Sequence, residues 1–272
     1  MISRGRRRLL IGALVAVVVL VAAAGGGVAW WRWDTARQPV LGDAVAVLDK
    51  AVAEVVVAAG PGVAVALGGV VRSASCQINV LRTGGEFTAS ADVYTDLGRE
   101  DATITAIGQQ LAGSYPVHRG AAVSGVQPLT ADAPGGVLVS VRKLGDGWLA
   151  VSARTGCSLG SVPGPQAPPA GSAGAGEITA AFATLGATPA AFTQQSLPCA
   201  GTSLVTVAAV SGSADSSHLR QRLSTRIPAT AHVFVAGKSN RVVYRDGAVS
   251  VVVAASDDGT AVTGQYTSGC AR

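Results

Sequence analysis

The sequence predicts an α+β protein: an N-terminal transmembrane helix followed by two related modules, each an antiparallel sheet with helices on one face. Three observations carry this. The stretch from Leu9 to Trp31 holds 23 residues and no charge. A proline- and glycine-rich run then divides the remainder of the chain. The segments on either side of that run end alike, in two apolar strands around an Asp-Gly turn that close on Gly-Cys.

The N-terminus comes first. Residues 1–8 form a basic tail with Arg4, Arg6, Arg7 and Arg8. As a helix at ~1.5 Å per residue, residues 9–31 would reach about 34 Å, enough to cross a hydrocarbon core roughly 30 Å thick. The arginines orient the tail to the cytoplasm and place the rest outside. Trp30, Trp31 and Trp33 stand where amphipathic rings prefer to lie, at the membrane–water interface. An uncleaved signal anchor is therefore expected. The alternative is a cleaved signal peptide, since Ala22-Ala23-Ala24 before Gly25 has the small residues a signal peptidase accepts. Arg6-Arg7-Arg8-Leu9-Leu10 is only loosely like a twin-arginine signal. A tail of eight residues is too short for a cytosolic signalling domain.

The formal charge of +5 belongs to this end of the chain. Five of the 21 basic residues (Arg4, Arg6, Arg7, Arg8 and Arg32) precede Asp34, and the remaining 16 balance the 16 acidic ones. A neutral ectodomain lacks the basic footprint of a nucleic-acid binder, and no nucleic-acid partner is expected. The ectodomain is rich in Ala, Val and Gly, a bias resembling that of high-GC actinobacterial proteins. Small side chains bury little area each, so cross-links would help a thin core.

Residues 34–157 read as the first module. A helix is expected over Asp43–Ala59, with Val45, Leu48, Val52, Val55 and Val56 along one face. Strand-like runs follow at 77–81 and Glu86–Tyr94, and a helix-compatible stretch at Gly98–Ala112 carries Ile104, Ile107 and Leu111. The hairpin of Gly135–Cys157 turns at Gly145-Asp146-Gly147. Residues 158–176 hold four prolines and five glycines without a charge and read as a linker. Residues 177–272 read as the second module. It has a helix at Glu177–Leu185, a strand at Ser203–Val210 and a helix at 215–225, with Asp215 or Ser216 as N-cap and Pro228 beyond its end. It ends in a hairpin over Gly247–Cys270 turning at Asp257-Asp258-Gly259. Each module thus runs helix, strand, strand, helix, then two or three strands.

The four cysteines, Cys76, Cys157, Cys199 and Cys270, lie on the oxidising side, where an even count reads as two disulfides. Each module has one cysteine at its first strand and one at its last. The expected pairs are Cys76 with Cys157 and Cys199 with Cys270; a staple from Cys157 to Cys199 across the linker ranks below. No spacing fits a metal site or a CxxC redox pair, and no metal or cofactor is expected.

Catalytic patterns match by letter and fail by context. Gly156-Cys157-Ser158-Leu159-Gly160 fits G-x-S-x-G but runs from a strand into the linker, where a nucleophile elbow needs a helix. Ser140-Val141-Arg142-Lys143 fits S-x-x-K inside a strand. Gly237-Lys238-Ser239 ends like a P-loop without its first glycine. His118, His218 and His232 have no ligand-type residues at metal spacing, although His118 and His232 fall at matching places, each following a module's central helix. No catalytic residue is assigned. The expected function is that of a single-pass, membrane-anchored extracytoplasmic protein of the bacterial envelope. It would act as a non-enzymatic binding or scaffold module for an envelope protein or peptide, with the cleft between the modules as the place for a ligand. The alternatives are a cell-wall or peptide-processing hydrolase with a dispersed site, and a structural assembly partner of a membrane complex.

Overall fold

In the computed structural model, residues 40–79, 82–162, 164–199, 202–212, 218–237, 240–256 and 258–270 are described. The arginine tail, the apolar run and the three interface tryptophans lie outside these residues. Among the described residues, no helix is long and apolar enough to cross a membrane.

The first helix, α1, spans Leu41–Ala58. Leu48, Ala51, Val52 and Val55 are fully buried at spacings of three, four and seven, which put them on one face. The helix stops where Gly60 adopts φ +84°, a left-handed conformation that side chains disfavour. Two long antiparallel strands follow, β1 (Ala64–Asn79) and β2 (Arg82–Tyr94). Then come α2 (Glu100–Leu111), β3 (Val117–Arg119), β4 (Leu129–Ala133), β5 (Val137–Gly145) and β6 (Trp148–Arg154). The second half runs α3 (Ala173–Thr184), β7 (Pro189–Cys199), β8 (Thr202–Ser211), α4 (Leu219–Leu223), β9 (His232–Phe234), β10 (Arg241–Asp246), β11 (Val249–Ala255) and β12 (Val262–Ser268).

Both halves make one six-stranded antiparallel sheet of the same topology. The first has the order β1-β2-β6-β5-β4-β3, the second β7-β8-β12-β11-β10-β9. Four strands, rather than two or three, follow the central helix of each half. Of the added strands, β3 and β9 are only three residues long. The duplication read from the two terminal hairpins therefore extends over the whole module.

Alternation of side chains decides which face carries the helices. In β2, Phe87, Ala89, Ala91 and Val93 point with Val139, Val141, Leu149 and Val151 into one core shared with α1 and α2. In the second sheet, Val207, Ala209, Val242, Tyr244, Val251 and Val253 pack with Ile178 and Phe182 of α3 and with Leu219 and Leu223 of α4. A third cluster lies between the modules: Ala64, Ala66 and Tyr94 meet Phe234, Ala236, Val243 and Val252. The sheets thus pack through the faces opposite their helices. Leu197 and Leu204 of the second module also enter the first module's core, so the halves share an interior.

Two differences from the sequence expectations concern the run between the modules. Helix α3 starts at Ala173, inside the stretch read as linker, because Ser172 caps it by accepting a bond from the Ala175 N–H. The run is also pinned: Ser158 pairs with Gly85, Leu159 with Val40 and Gln166 with Gln194. Helix α4 is shorter than expected, and Asp215 and Ser216 lie outside the described residues.

The disulfides join Cys76 to Cys157 and Cys199 to Cys270, with Cα–Cα distances of 5.8 and 6.2 Å. Each ties the first strand of a module to the end of its last.

A polar cleft between the modules

Several cavities border the two modules among the described residues, and their chemistry differs. One, of about 440 Å³, opens between α1, the β1–β2 hairpin, β7 and the pinned run. Helix α1 contributes Val45, Asp49 and Val52, which its 3.6-residue turn sets on one side. From the hairpin come Gly68, Gly69 and Ser90; from β7 come Gln194, Gln195 and Ser196. Gly164, Pro165 and Gln166 close the remaining side. A β-bulge interrupts the β1–β2 register between Gly68 and Val71. A Cβ on Gly68 would stand 2.2 Å from Ser90 Oγ, and one on Gly69 2.4 Å from Gln195 Nε2, so a side chain at either position would push these polar groups aside. The paired glycines bring the β1 backbone close to the polar side chains of the cleft wall.

Asp49 is the charged group of this cleft. It has no hydrogen-bond or ion-pair partner among the described residues. Burial pushes its carboxyl up from an ordinary 3.8 to about 6. The glutamines and serines around it offer donors and acceptors but no opposite charge.

Two larger grooves hold charges that are already engaged. A groove of about 660 Å³ beside α1 and α2 contains Glu54, which accepts a hydrogen bond from Tyr115 and pairs with Lys50 at 3.9 Å. A groove of about 730 Å³ along α4 reaches Arg241, whose guanidinium carbon lies 3.9 Å above the Trp148 ring and whose Nη1 donates to Tyr94 Oη at 3.1 Å. Trp148 Nε1 in turn donates to Asp92 Oδ1 at 3.0 Å. Antiparallel pairing sets Tyr94 opposite Trp148 and stacks their rings. Burial raises Asp92 above the usual carboxylate range despite opposition from Trp148 and Arg241. This cluster locks the modules together rather than facing a ligand. Arg245 adds a bond from Nη1 to the Val63 carbonyl at 2.5 Å.

The β5–β6 turn is held from behind. Glu100, buried in the first turn of α2, accepts from the Gly147 N–H at 2.7 Å and pairs with Lys143 at 3.3 Å. Burial works to raise its carboxyl, but the Gly147 N–H and Lys143 outweigh it and hold the group below its usual range. Lys143 also reaches Asp146 at 2.9 Å. The lysine of the S-x-x-K pattern is thus a structural partner.

Ser158 is 2% exposed and bonds the Gly156 carbonyl, and an extended bridge to Gly85 stands where an elbow would need a helix. His118 lies 3.5 Å from Asp132 on the surface, while His232 lies 2.7 Å from Asp96, both more than half exposed. Strands β3 and β9 take corresponding places in the two sheets, but His118 is the middle residue of β3 and His232 the first of β9, so the two histidines are out of register. His218, with φ 53°, precedes α4 and lines the larger groove. Among the described residues, no group of three or more His, Cys, Asp or Glu side chains converges as metal ligands would. Lys238 and Ser239 lie outside the described residues. The sequence did not single out Asp49, because a lone acidic residue on an amphipathic helix normally marks the solvent face. Only the approach of β7 and the pinned run encloses it.

No protein-family model matches the chain, and no curated protein matches its sequence. Among solved structures, a crystal structure of MucB in complex with MucA(peri) aligns at 10% identity over 79% of this chain and 91% of that one. The TM-score is 0.14, which carries no argument about fold or function.

Proposed function

We propose that this chain is a membrane-anchored extracytoplasmic binding protein that holds its ligand in the cleft between its two modules. The observation that carries the proposal is the unpaired Asp49 carboxylate in a cleft built from both modules and the run between them. A half-buried charge without a partner costs free energy, and such groups concentrate where a ligand completes them. The uncharged run from Leu9 to Trp31 behind four arginines supports the anchor, with the ectodomain outside. The His232–Asp96 pair is exposed and, among the described residues, has no serine or cysteine nucleophile bonded to it, so it does not favour the hydrolase alternative.

Photo-crosslinking from defined positions in native membranes tests this. A photoreactive residue at Ser196, exposed on the cleft wall, should capture a recurrent adduct. The same residue at Leu138, exposed on β5, should not. Equal capture from both positions, or from neither, contradicts cleft binding.

A further inference from the structure

We infer that the ligand of this cleft is an extended peptide carrying a basic side chain, which adds to the outer edge of β7 and displaces the chain's own residues 164–166. This inference rests on the binding function proposed above and specifies its ligand class.

Strand β7 is an edge. It pairs with β8 along one side. Among the described residues, its other side carries one antiparallel bridge, Gln194 with Gln166, in which the Gln194 N–H donates to the Gln166 carbonyl at 2.7 Å. An extended segment therefore already sits there, and it is a poor strand. Pro165 has no N–H to give, and Pro168 and Pro169 follow closely. A peptide without prolines would extend the ladder where this run makes one contact, which is recognition by strand addition.

The neighbouring side chains select a basic residue. The run 158–176 is uncharged and brings nothing to neutralise Asp49. Val45, Val52, Val70 and Leu197 line the same cleft and form an apolar shelf beside the carboxylate. A lysine or arginine fits both features, with its methylene stem along the shelf and its cationic head on Asp49. Among the described residues, no aromatic ring lines the cleft to stack on a sugar face, which favours a peptide over a saccharide.

Isothermal titration of the purified full-length chain in detergent tests the inference. The probe is the acetylated, amidated pentapeptide Thr-Val-Lys-Val-Thr, and its counterpart has acetyl-lysine at the centre. The lysine peptide should bind at least tenfold more tightly than its counterpart, and Asp49→Asn should remove that preference while the variant stays folded, with a cooperative thermal transition no lower than that of the unsubstituted protein. Hydrogen exchange across residues 161–168 should accelerate when the peptide binds, while the Gln194 amide stays protected. Equal affinity for both peptides, or unchanged exchange across the run, overturns the inference. Chitotriose serves as the saccharide arm. If it shifts cleft signals and the lysine peptide does not, the peptide inference falls and cleft binding stands. If neither probe acts on the cleft, the peptide inference fails, and the crosslinking from Ser196 separately decides the binding function.

Discussion

The guanidinium carbon of Arg241 lies 3.9 Å from the centre of the Trp148 ring, joining the first residue of β10 to the first residue of β6 across the module boundary. Trp148 is held by Asp92 and Arg241 by Tyr94, so four side chains from both halves form one unit. Arg241→Met should cost on the order of 2–4 kcal/mol, because it leaves Asp92 half-buried without its cation. Arg241→Met with Asp92→Asn should recover part of that loss. Urea unfolding of the three variants measures the coupling.

The two hairpin turns should respond differently to the same change. Gly147 has φ 65°, and a Cβ there would stand 2.3 Å from the Val235 carbonyl oxygen and 2.8 Å from that of Thr95. Gly247, in the β10–β11 turn, has φ 57° but open space around it. Gly247→Ala pays only for the left-handed backbone, about 1 kcal/mol. Gly147→Ala adds a clash with the backbone of the other module and should cost more than about 3 kcal/mol. Thermal unfolding of both variants checks the difference.

Asp49 and Glu100 should give opposite pH dependences. The folded state raises the Asp49 pKa to about 6, so it binds that proton more tightly than the unfolded chain does. The resulting stability is full below 3.8 and is lost as pH rises through about 6. Asp49→Asn should flatten this slope and stabilise the protein at pH 7 by on the order of 1 kcal/mol, discounted for partial exposure. Glu100 is held below its ordinary 4.5, so its contribution is present above that value and lost as pH falls through the depressed one. Glu100→Gln should remove the acid-side loss. Denaturant midpoints between pH 3 and 8 distinguish the two.

Each disulfide closes a long loop, with sequence separations of 81 and 71. Replacing either pair by serine should cost roughly 4 kcal/mol on the chain-entropy estimate. Mass mapping of non-reduced peptides should recover Cys76 with Cys157 and Cys199 with Cys270, and no Cys157–Cys199 species.

Much of this architecture was legible because local signals agreed with the fold. Asp146-Gly147 between apolar strands marks a hairpin, and Leu48, Val52 and Val55 mark a helix face. The cysteine pairing followed from the repeat. Strand β7 was missed because Pro189, Gln194, Gln195 and Pro198 argue against a strand, yet an edge tolerates proline where no partner needs its N–H. The first half of β1 was missed because Ala64–Leu67 are buried throughout, leaving no alternation to read, and Gly68-Gly69 reads as a turn. The cleft itself was named as the place to look, but its residues were not. Asp49 and Gln194 are 145 positions apart in the sequence, and only tertiary packing brings them to one cavity.

Backbone amide NMR of the labelled chain, recorded while the lysine pentapeptide is added, tests the cleft most directly. Shifts should cluster at Gly69, Ser90, Gln194 and Gln195, and Asp49→Asn should need at least tenfold more peptide to produce them. Shifts centred elsewhere, or unchanged in Asp49→Asn, would contradict the assignment of this cleft as the binding site.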